Sequence, residues 1–487
     1  MHKNTMIREP SAMRHTSFTL RPFAGAVLLA LLPGLLLAQQ NTTYQYQYDA
    51  VGNLTQITDP LQRVTTQSYD ALNRLKQQLQ PAPVAGAPRP VIGYAYDGQD
   101  QLVSVTDPRN LVTTYTIDGL GNQTAIVSPD TGATRKTVDA AGNVVTSTDA
   151  KGQTTRYQYD ALNRITQITH AGGHVVNHAY DQGPHGIGRL TQVSDASGAI
   201  TYAYDQHGRR TRETRTINSI PYVTTHTYDG AGRLATTTYP SGRILTYSRD
   251  GLGRISAMSS SKDGDTVQLV HSITYQPFGG ITAYVNGAGA TVQRRHDLDG
   301  RLTSYTLGGQ AHTLTYDATS RITLLWDTGN VAHTHQYGYD DLDRLTQYTG
   351  PVSTQSFGYD AVGNRTQQQL GSTNTSYQYG AASNRLTQMA GSQTLAYQSD
   401  ANGSVVHNGL NQFSYDTRGR MTAAVTALGH VAYTVNALGQ RSAKTLPNSS
   451  THYHYDGAGQ LIGESTAQGV FQKEYVYLHD MPVALFQ

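Results

Sequence analysis

The stretch TTRYQYDALNRITQITHAGGH, residues 154–174, contains one complete unit of the pattern that decides the fold. β-Branched and aromatic residues alternate with polar ones from Thr154 to Tyr159 and again from Ile165 to Thr169, which is typical of β-strands. Between these two runs, Asp160 can accept hydrogen bonds from backbone N–H groups further along the chain, and Asn163 tolerates a positive φ. The stretch therefore predicts a β-hairpin.

The phrase Tyr-Asp-x-x-Gly/Asn-Arg/Asn-Leu recurs along almost the whole chain. Its clearest copies include YDAVGNL at Tyr48, YDALNRL at Tyr69, YDGAGRL at Tyr228, YDDLDRL at Tyr339 and YDGAGQL at Tyr455. With degenerate copies included, the starts fall at residues 48, 69, 96, 117, 138, 159, 180, 204, 228, 249, 275, 296, 316, 339, 359, 379, 399, 415, 435 and 455. The mean spacing is about 21 residues, so the pattern predicts a repeat protein.

Two positions of the repeat have turn chemistry. Asp fills the second position in 17 of 20 copies and Gly fills the fifth in 13. Asn73, Asn163, Asp100 and Asp343 replace Gly with residues of similar conformational tolerance. We therefore predict that turn geometry, and not catalysis, explains these positions. The structural repeat positions are Tyr48, Asp49, Gly52, Tyr69, Asp70, Tyr159, Asp160, Tyr204, Asp205, Tyr228, Asp229, Gly232, Tyr339, Asp340, Tyr455, Asp456 and Gly459.

Tyrosine occupies two registers of the repeat, as in the pairs Tyr202/Tyr204 and Tyr453/Tyr455. Residues two apart on a strand point to the same face, so we expect the tyrosines to form ladders along one side of a continuous sheet. A tyrosine face can border a wet interior or serve as an adhesive surface, and both possibilities remain open.

The fold class predicted from the repeat is all-β. Hairpins of about 21 residues joined end to end give roughly 40 strands in one winding sheet, with contacts mostly between neighbours. Such a sheet must curl or close, because open sheets rarely exceed about 10 strands. Propeller blades, leucine-rich repeats and helical arrays have other periods and signatures, and fit this sequence less well.

Composition excludes several classes of function. Lys and Arg number 36 against 34 Asp and Glu, a formal charge of +2, so no nucleic-acid partner is expected. The absence of cysteine excludes disulfides, thiolate metal sites and Cys nucleophiles. The sequence has no HExxH, GxSxG, Walker or GxGxxG motif, so we expect no enzyme, no cofactor and no metal.

The N-terminal segment has the layout of a secretory signal peptide. A basic stretch reaches Arg21, an apolar run spans residues 23–37, and the small residue Ala38 follows. We expect residues 1–38 to be the signal peptide of an exported protein that is periplasmic, secreted or at the cell surface, and residues 44–487 to be the repeat region. The alternative is that this segment stays uncleaved and anchors the protein in the membrane. Apart from that, we expect contact with the membrane only during export.

The Tyr-Asp units resemble the YD repeats of the Rhs family, which includes wall-associated proteins, C components of insecticidal toxin complexes and teneurins. The segment EYVYLHDMPVALF, residues 474–486, also resembles the phrase that follows the last repeats in Rhs proteins. The resemblance implies a hollow shell made of a long β-sheet that winds in a spiral. In toxin members, such a shell encloses a C-terminal toxic domain, which is released by aspartic self-cleavage at a D-P-x-G-L phrase.

No D-P-x-G-L phrase occurs up to Gln487, so we expect a repeat region that is incomplete at its C-terminus and that lacks a toxin. The resemblance then implies a shell protein, part of a toxin-delivery scaffold, that encapsulates or presents a polypeptide cargo. A carbohydrate- or protein-binding adhesive surface protein is the alternative. The terminal hairpin would have an unpaired edge, from which we expect self-association.

Two Asp-Thr-Gly triplets, at Asp130 and Asp327, are similar to the paired carboxylates of aspartic proteases. Asp327 lies 11 residues after its repeat start, as do Asp59, Asp107 and Asp149. This shared position favours the second turn of each unit over a catalytic pair. A self-cleaving aspartic protease is therefore only a remote alternative.

Other candidate ligands are closely spaced acids and histidines. Asp297/Asp299 and Asp263/Asp265 lack the terminal bidentate acid of a calcium loop, so exposed turns are the better interpretation. His333/His335 and His452/His454 have the spacing that places two side chains on one face of a strand, but no third metal ligand is evident. We expect these histidines to replace tyrosines in the ladder.

Overall fold

Hairpins follow one another along residues 42–277 and 279–487, which are the residues that this computed structural model describes. They belong to one compact unit, Asn41–Gln487. The alternating segments of the repeat form strands, since alternation places like side chains on one face of a sheet. The predicted all-β class is confirmed. The signal peptide predicted at residues 1–38 lies outside the described residues.

The described part of the chain contains 43 strands and two single-turn 3-10 helices, Ala171–Gly173 and Val331–His333. The strands are β1 Gln45–Tyr48, β2 Leu54–Thr58, β3 Val64–Tyr69, β4 Leu75–Leu79, β5 Val91–Tyr96, β6 Leu102–Thr106, β7 Val112–Ile117, β8 Gln123–Ser128, β9 Gly132–Val138, β10 Val144–Thr148, β11 Thr154–Tyr159, β12 Ile165–Thr169, β13 Val175–Tyr180, β14 Leu190–Asp195, β15 Gly198–Tyr204, β16 Arg210–Ile217, β17 Ile220–Tyr228, β18 Leu234–Thr238, β19 Ile244–Arg249, β20 Ile255–Lys262, β21 Asp265–Tyr275, β22 Ile281–Asn286, β23 Thr291–His296, β24 Leu302–Leu307, β25 Gln310–Tyr316, β26 Ile322–Asp327, β27 His335–Tyr339, β28 Leu345–Thr349, β29 Thr354–Tyr359, β30 Arg365–Leu370, β31 Thr373–Tyr379, β32 Leu386–Ala390, β33 Thr394–Ala396, β34 Gln398–Ser399, β35 Val405–His407, β36 Gln412–Tyr415, β37 Met421–Thr426, β38 Gly429–Val435, β39 Arg441–Leu446, β40 Ser449–Tyr455, β41 Leu461–Thr466, β42 Phe471–Leu478 and β43 Met481–Phe486.

Neighbouring strands pair antiparallel in chain order, but they form two sheets in place of the single sheet expected. β1 to β33 make one sheet and β34 to β43 make the other. The two sheets meet at Tyr397, between β33 and β34, where the Tyr397 N–H still donates to the Thr387 carbonyl of β32 at 2.8 Å. The interruption coincides with Ser399, which stands where most copies of the repeat have their first Tyr.

The ribbon has two different edges. We call the turns after each Tyr-Asp phrase YD turns, for example residues 160–164, and the turns ten residues later return turns, for example residues 149–153. Since the strands alternate in direction, all YD turns lie along one edge of the ribbon and all return turns lie along the other.

The two faces of the ribbon also differ. Tyr157 pairs with Ile168 on the face that we call the Tyr face, whereas Gln158 pairs with Gln167 on the opposite face. The same division holds at Tyr94 opposite Val105 and at Ala95 opposite Ser104. The expected placement of both tyrosine registers on one face is confirmed, because Tyr157 and Tyr159 are half-buried while Gln158 between them is exposed.

The ribbon winds past itself. Arg63 contacts Asp343, Arg109 contacts Asn384, and Lys151 contacts Asp400, which are separations of 280, 275 and 249 residues. From Arg63 to Lys151 the residue numbers of the first winding rise, and those of their contacts in the second winding rise from Asp343 to Asp400. The two windings therefore run in the same direction. In each pair a return turn of the first winding meets a YD turn of the second. We call this line of contact the seam.

Beyond the seam, the last strands lie on the Tyr face of the first winding. Tyr247 and Met258, which pair across the Tyr face of β19 and β20, pack in one core cluster with Val476 and Leu478 of β42. Val476 and Leu478 alternate with Tyr475 and Tyr477, so they project from the opposite face of β42. One face of the ribbon therefore packs on the other face, as in a scroll, and the Tyr face is the inner face of the roll.

Candidate functional site

A three-residue contact, which we call the clasp, joins seven of the YD turns to the next hairpin. In the copy at Tyr159, the Arg164 guanidinium donates to Asp160 at 2.6 Å and lies 4.3 Å from the ring centroid of Tyr180. The Tyr180 hydroxyl donates in turn to the Ile165 carbonyl at 3.0 Å. Each clasp therefore combines an ion pair, a cation–π contact and a hydrogen bond to backbone.

The hydroxyl contact of the clasp recurs along the chain. At 2.6 to 3.0 Å, the first Tyr of a copy donates to the carbonyl of the seventh residue in the preceding copy, or to the Leu190 carbonyl in the longer copy that starts at Tyr180; the donors are Tyr69, Tyr96, Tyr159, Tyr180, Tyr204, Tyr228, Tyr275, Tyr316, Tyr339, Tyr359, Tyr379, Tyr415 and Tyr455. Tyr477, which follows the last copy, donates in the same way to the Leu461 carbonyl. A β-bulge disturbs the ladder beside that carbonyl in every such hairpin, as at Gln158/Tyr159. The tyrosine thus supplies a partner where the strand ladder is irregular.

One copy uses a different donor for the same purpose. Arg249 stands in the first position of its copy, and its guanidinium donates to the Leu234 carbonyl at 2.8 Å. This substitution shows that an arginine can supply the donor in place of a tyrosine, although Ile117, Val138 and Val435 occupy the same position without a donor. Sequence reasoning missed the clasp, although the Asp-to-Arg spacing of four residues, present in many of the phrases, is a visible signal of the ion pair.

The YD turns have the geometry that the sequence predicts for them. Asp160 Oδ1 accepts hydrogen bonds from the N–H groups of Leu162 and Arg164 at 2.9 and 3.0 Å. The hydrogen bond from the Arg164 N–H, together with the Arg164 side chain, lowers the pKa of Asp160. Positive φ is found at the fifth position in Gly52, Gly232 and Gly459, and equally in Asn73, Asn163, Asp100 and Asp343. These side chains and backbone conformations close the YD turns.

Charged and polar side chains hold the seam together. Arg109, from a return turn, donates to Asn384 Oδ1 at 2.8 Å and to the carbonyls of Ser383 and Gly380 at 2.9 Å each. The Asn384 backbone N–H donates to the Asp130 carboxylate at 2.6 Å. This part of the seam is therefore a hydrogen-bonded network that ties two windings of the ribbon.

A buried ion pair fastens the end of the chain to the first winding. Arg243 donates to Glu474 at 3.0 Å and to Ser260 at 3.0 Å, and Ser241 also hydrogen-bonds to Glu474. The Phe486 ring lies 3.5 Å from the Arg243 guanidinium carbon. Within the described residues β43 pairs only with β42, but Met481, Val483, Ala484 and Phe486 pack on the core cluster. The expected self-association through this edge stays a prediction.

The His452/His454 pair lies on one face of β40, as its spacing predicts, but the expectation that these residues replace tyrosines in the ladder is wrong. Both are buried, and they alternate with the half-buried Tyr453 and Tyr455 of the opposite face. His452 contacts the Tyr222 hydroxyl at 3.2 Å, and His454 contacts Ser465 at 2.9 Å. Burial lowers the pKa of His454 to about 3. These histidines are packing residues between the two windings.

The two Asp-Thr-Gly triplets are not brought together in the described residues. Asp130 binds Asn384 across the seam, whereas Asp327 accepts hydrogen bonds from the N–H groups of Gly329 and Asn330 in its own turn. Burial opposes ionisation of Asp327, but these two hydrogen bonds and nearby histidines lower its pKa. The two carboxylates therefore have separate turn and seam contacts and do not share a proton.

The remaining acids and histidines lie in turns or in strands beside them. Asp297 and Asp299 both contact Arg301, at 2.7 and 3.3 Å. His333 belongs to a 3-10 turn beside Asp327, whereas His335 is in β27 and contacts the Tyr348 hydroxyl at 2.8 Å. Asp263 and Asp265 flank the tight turn between β20 and β21. Over the described residues, no three His, Asp or Glu side chains are grouped as metal ligands.

Comparisons with protein families agree with this geometry. Residues 34–61, 48–82, 96–133, 138–175, 186–216 and 222–266 match the RHS Repeat model, and residues 311–445 match the Teneurin YD-shell model. No curated protein sequence matches the chain significantly. In the described residues, no helix has the length and apolar character needed to cross a membrane.

Solved structures share the fold. The chain is similar to the crystal structure of TcdB2-TccC3, with a TM-score of 0.71 and 14% identity over 91% of this chain and 31% of that chain. It is equally similar to the Tc holotoxin pore of Photorhabdus luminescens, with a TM-score of 0.71 and 14% identity over 91% of this chain and 30% of that one. The chain thus spans about a third of the length of these structures, and the likeness concerns the fold alone.

Proposed function

The chain belongs to the RHS/YD-repeat family, and from this premise we propose that its rolled sheet is a wall that encloses or presents a polypeptide. The wall itself carries out no chemistry in this proposal. The cargo is a separate or attached polypeptide, so the chain contributes a container and not an active site.

The observation that carries the proposal is the direction of the roll. The last strands lie on the Tyr face of the first winding, with Leu478 and Val476 against Met258. Further residues on that side of the ribbon would therefore be surrounded by the wall. The seam supports the same function, because ion pairs such as that of Lys151 with Asp400 hold two windings edge to edge.

The chemistry of the inner face suits a polypeptide. Away from the last strands it presents pairs such as Tyr115 with Ile126 and Tyr157 with Ile168, which are half-buried. Aromatic and aliphatic groups can take up apolar side chains, and tyrosine hydroxyls can hydrogen-bond to exposed backbone. The opposite face is richer in Gln, Thr, Ser and Ala, as at Gln158 and Gln167.

Protease protection of an attached segment tests the enclosure. A flexible lysine-containing Gly-Ser segment would be fused after Gln487, next to Phe486, which packs on the inner core cluster. We expect trypsin to cut the fused segment more slowly than the same segment added as a free peptide. Cleavage of both at one rate, with the wall intact on a gel, would refute enclosure.

Export from the cytoplasm is part of the proposal. The charged N-terminal stretch, the apolar residues 23–37 and Ala38 support a signal peptide. N-terminal sequencing of exported protein should then begin near Gln39. An intact Met1 or Met13 terminus would favour an anchor instead.

A binding function is the second candidate, because one aromatic row is exposed. Tyr44, Tyr46 and Tyr48 are 46%, 53% and 61% exposed at the first strand of the sheet. Aromatic rings in such a row can stack on sugar rings or on a partner protein. A glycan array probed with wild-type protein and with a Tyr46→Ala/Tyr48→Ala variant would separate this function from enclosure.

A further inference from the structure

The ribbon leaves two of its edges uncovered. Since the YD turns of the second winding meet the return turns of the first at the seam, the free edges are the YD turns of the first winding and the return turns of the second. These edges are of the same two kinds that already bind each other inside the chain. The seam therefore provides a template for what the free edges can contact.

Exposed apolar side chains form a row along the first free edge. They stand at the tips of YD turns, and we call them the YD rim: Val51, Leu72, Leu120, Leu162, Ile187 and Leu252. Leu120, Leu162 and Leu252 are 84%, 68% and 80% exposed. At the seam the same turn position is half-buried in Leu342 and Val362. The YD turns between them have Gln99, Ala141, His207 and Ala231 at the tip, so the apolar tips recur at intervals along the edge. Exposed apolar side chains gathered along one edge favour an interaction site.

The second free edge is also apolar, and it has no charge. Its tips, which we call the return rim, are Val352, Leu410 and Leu428, exposed by 94%, 60% and 97%. Return turns of the second winding from residue 350 to residue 470 contain no Asp, Glu, Lys or Arg. Those of the first winding contain Arg63, Arg109 and Lys151, which are paired across the seam.

The return turns of the second winding from residue 350 to residue 470 are uncharged, unlike those of the first, and this indicates that an uncharged surface can pack on the return rim. An uncharged turn loses little favourable hydration when it is buried, whereas an unpaired charge would be costly. Turns recur once per hairpin along both free edges, a spacing of about 9.5 Å for two strands, so the turns of the two rims can match in register. The side-chain charges of the YD rim are engaged within clasps, as for Arg164 with Asp160 and Asp181.

We propose that a second copy of this chain docks its return rim on the YD rim, extending the seam from one molecule to the next. The two surfaces are different, so the contact is head-to-tail and each copy keeps one free rim for a further copy. The contact buries leucines and valines rather than ion pairs. Its strength should therefore change little with salt, unlike that of a charged interface.

Sedimentation velocity of the purified full chain over a series of concentrations tests this proposal. We expect the mean mass of the wild type to rise with concentration, to a similar extent in low and in high NaCl. Leu120→Lys/Leu162→Lys removes the YD rim, and Leu410→Lys/Leu428→Lys removes the return rim. Each double variant alone should remain monomeric, because the contact needs both rims.

A mixture of the two double variants gives the sharpest result. Each retains the rim that the other has lost, so we expect one-to-one dimers that do not grow further. Val127→Lys/Val267→Lys changes two exposed strand residues away from the rims, and it should associate as the wild type does. Circular dichroism would establish that all variants are folded, as surface substitutions should be.

Three outcomes would overturn the proposal. A wild-type chain that stays monomeric at all concentrations would show that the rims do not bind each other. Association that survives both rim variants would place the contact elsewhere. Loss of association in Leu485→Lys, with the rim variants unaffected, would assign it to the edge of β43.

Discussion

At the scale of single residues, the first Tyr of a repeat that has a clasp unites two properties. Its ring packs against the Arg of the preceding turn, as Tyr180 does with Arg164, and its hydroxyl donates to a backbone carbonyl beside a bulge. Phe could supply only the ring contact. Where Arg249 replaces the Tyr, its guanidinium also donates to a carbonyl, so a different side chain can supply the same hydrogen bond.

Removing one hydroxyl tests this interpretation. Tyr180→Phe should destabilise the hairpin locally by about 0.5–1.5 kcal/mol, because the Ile165 carbonyl loses its hydrogen bond. Hydrogen exchange of the amides in β12 and β13 measures the effect. Tyr115→Phe is the matched control, since in the described structure the Tyr115 hydroxyl has no hydrogen-bond partner. Equal effects of the two changes would contradict the clasp.

A buried histidine makes the contact between windings sensitive to acid. The pKa of His454 is about 3 in the folded chain, against an ordinary value of 6.5, because of burial. The unfolded chain therefore binds the proton first, so the stabilisation is complete above pH 6.5 and is lost as the pH falls from 6.5 towards 3. At about pH 5 the loss should be about 2 kcal/mol.

Thermal melting at about pH 7.5 and about pH 5 measures this loss in wild type and in His454→Phe. The variant should lose less stability than the wild type between these values. The turn carboxylates stay charged in this range, since hydrogen bonds from backbone N–H groups and arginine hold the pKa of residues such as Asp160 below the ordinary value. His430→Phe, at an exposed position, should behave as the wild type does.

At the scale of elements, each hairpin forms from local contacts, and side-chain contacts such as the clasp stabilise its junction with the next hairpin. Turn residues such as Asp160 and Asn163 close each hairpin from within. The clasp then connects successive hairpins across the bulge. The break between β33 and β34 lies next to Ser399, which replaces the tyrosine, whereas the first sheet is continuous at Ile117 and Val138 in the same position. The missing tyrosine therefore weakens the junction without by itself interrupting the sheet.

Restoring the tyrosine at the break should strengthen it. Ser399→Tyr places a hydroxyl where it can donate to the Leu386 carbonyl, which stands in the place of the usual seventh residue because the turn of the preceding copy is one residue longer. We expect slower hydrogen exchange around Tyr397 and a gain of about 0.5–1.5 kcal/mol. Ser399→Phe adds the ring without the donor and should give a smaller gain. No difference between the two variants would be inconsistent with the role assigned to the hydroxyl.

At the scale of the whole molecule, the seam holds windings that lie far apart in the chain. Arg109 donates three hydrogen bonds to residues 380–384, and its side chain is largely buried. Arg109→Ala should lower the local free energy of unfolding by about 2–4 kcal/mol, because the carbonyls of Gly380 and Ser383 and the side chain of Asn384 lose their hydrogen-bond donor. We expect faster hydrogen exchange and faster proteolysis at residues 107–111 and 380–384 together.

The exposed Arg156 on β11 offers a matched control for the seam. Arg156→Ala removes the same kind of side chain without breaking a contact between windings, so exchange and proteolysis at both sets of residues should be unchanged. If Arg109→Ala loosened residues 107–111 but left residues 380–384 unaffected, the seam would not couple the two windings.

The amino-acid sequence alone was sufficient for the repeat, the hairpins, the turn conformations and the single tyrosine face. These features depend on contacts within about 21 residues or between adjacent copies, so their patterns are visible in any one unit. Asp160, Asn163 and the alternation of Tyr157 with Gln158 could be interpreted without knowing where the rest of the chain lies.

Only the tertiary structure decided which turns meet at the seam, which face is covered and where the sheet is interrupted. The partners Arg109 and Asn384 are 275 residues apart, and His454 is buried against a strand of the first winding. Their meeting depends on small rotations between hairpins that add up over a dozen copies. No single unit of sequence specifies that sum, because each unit encodes only its contact with the next.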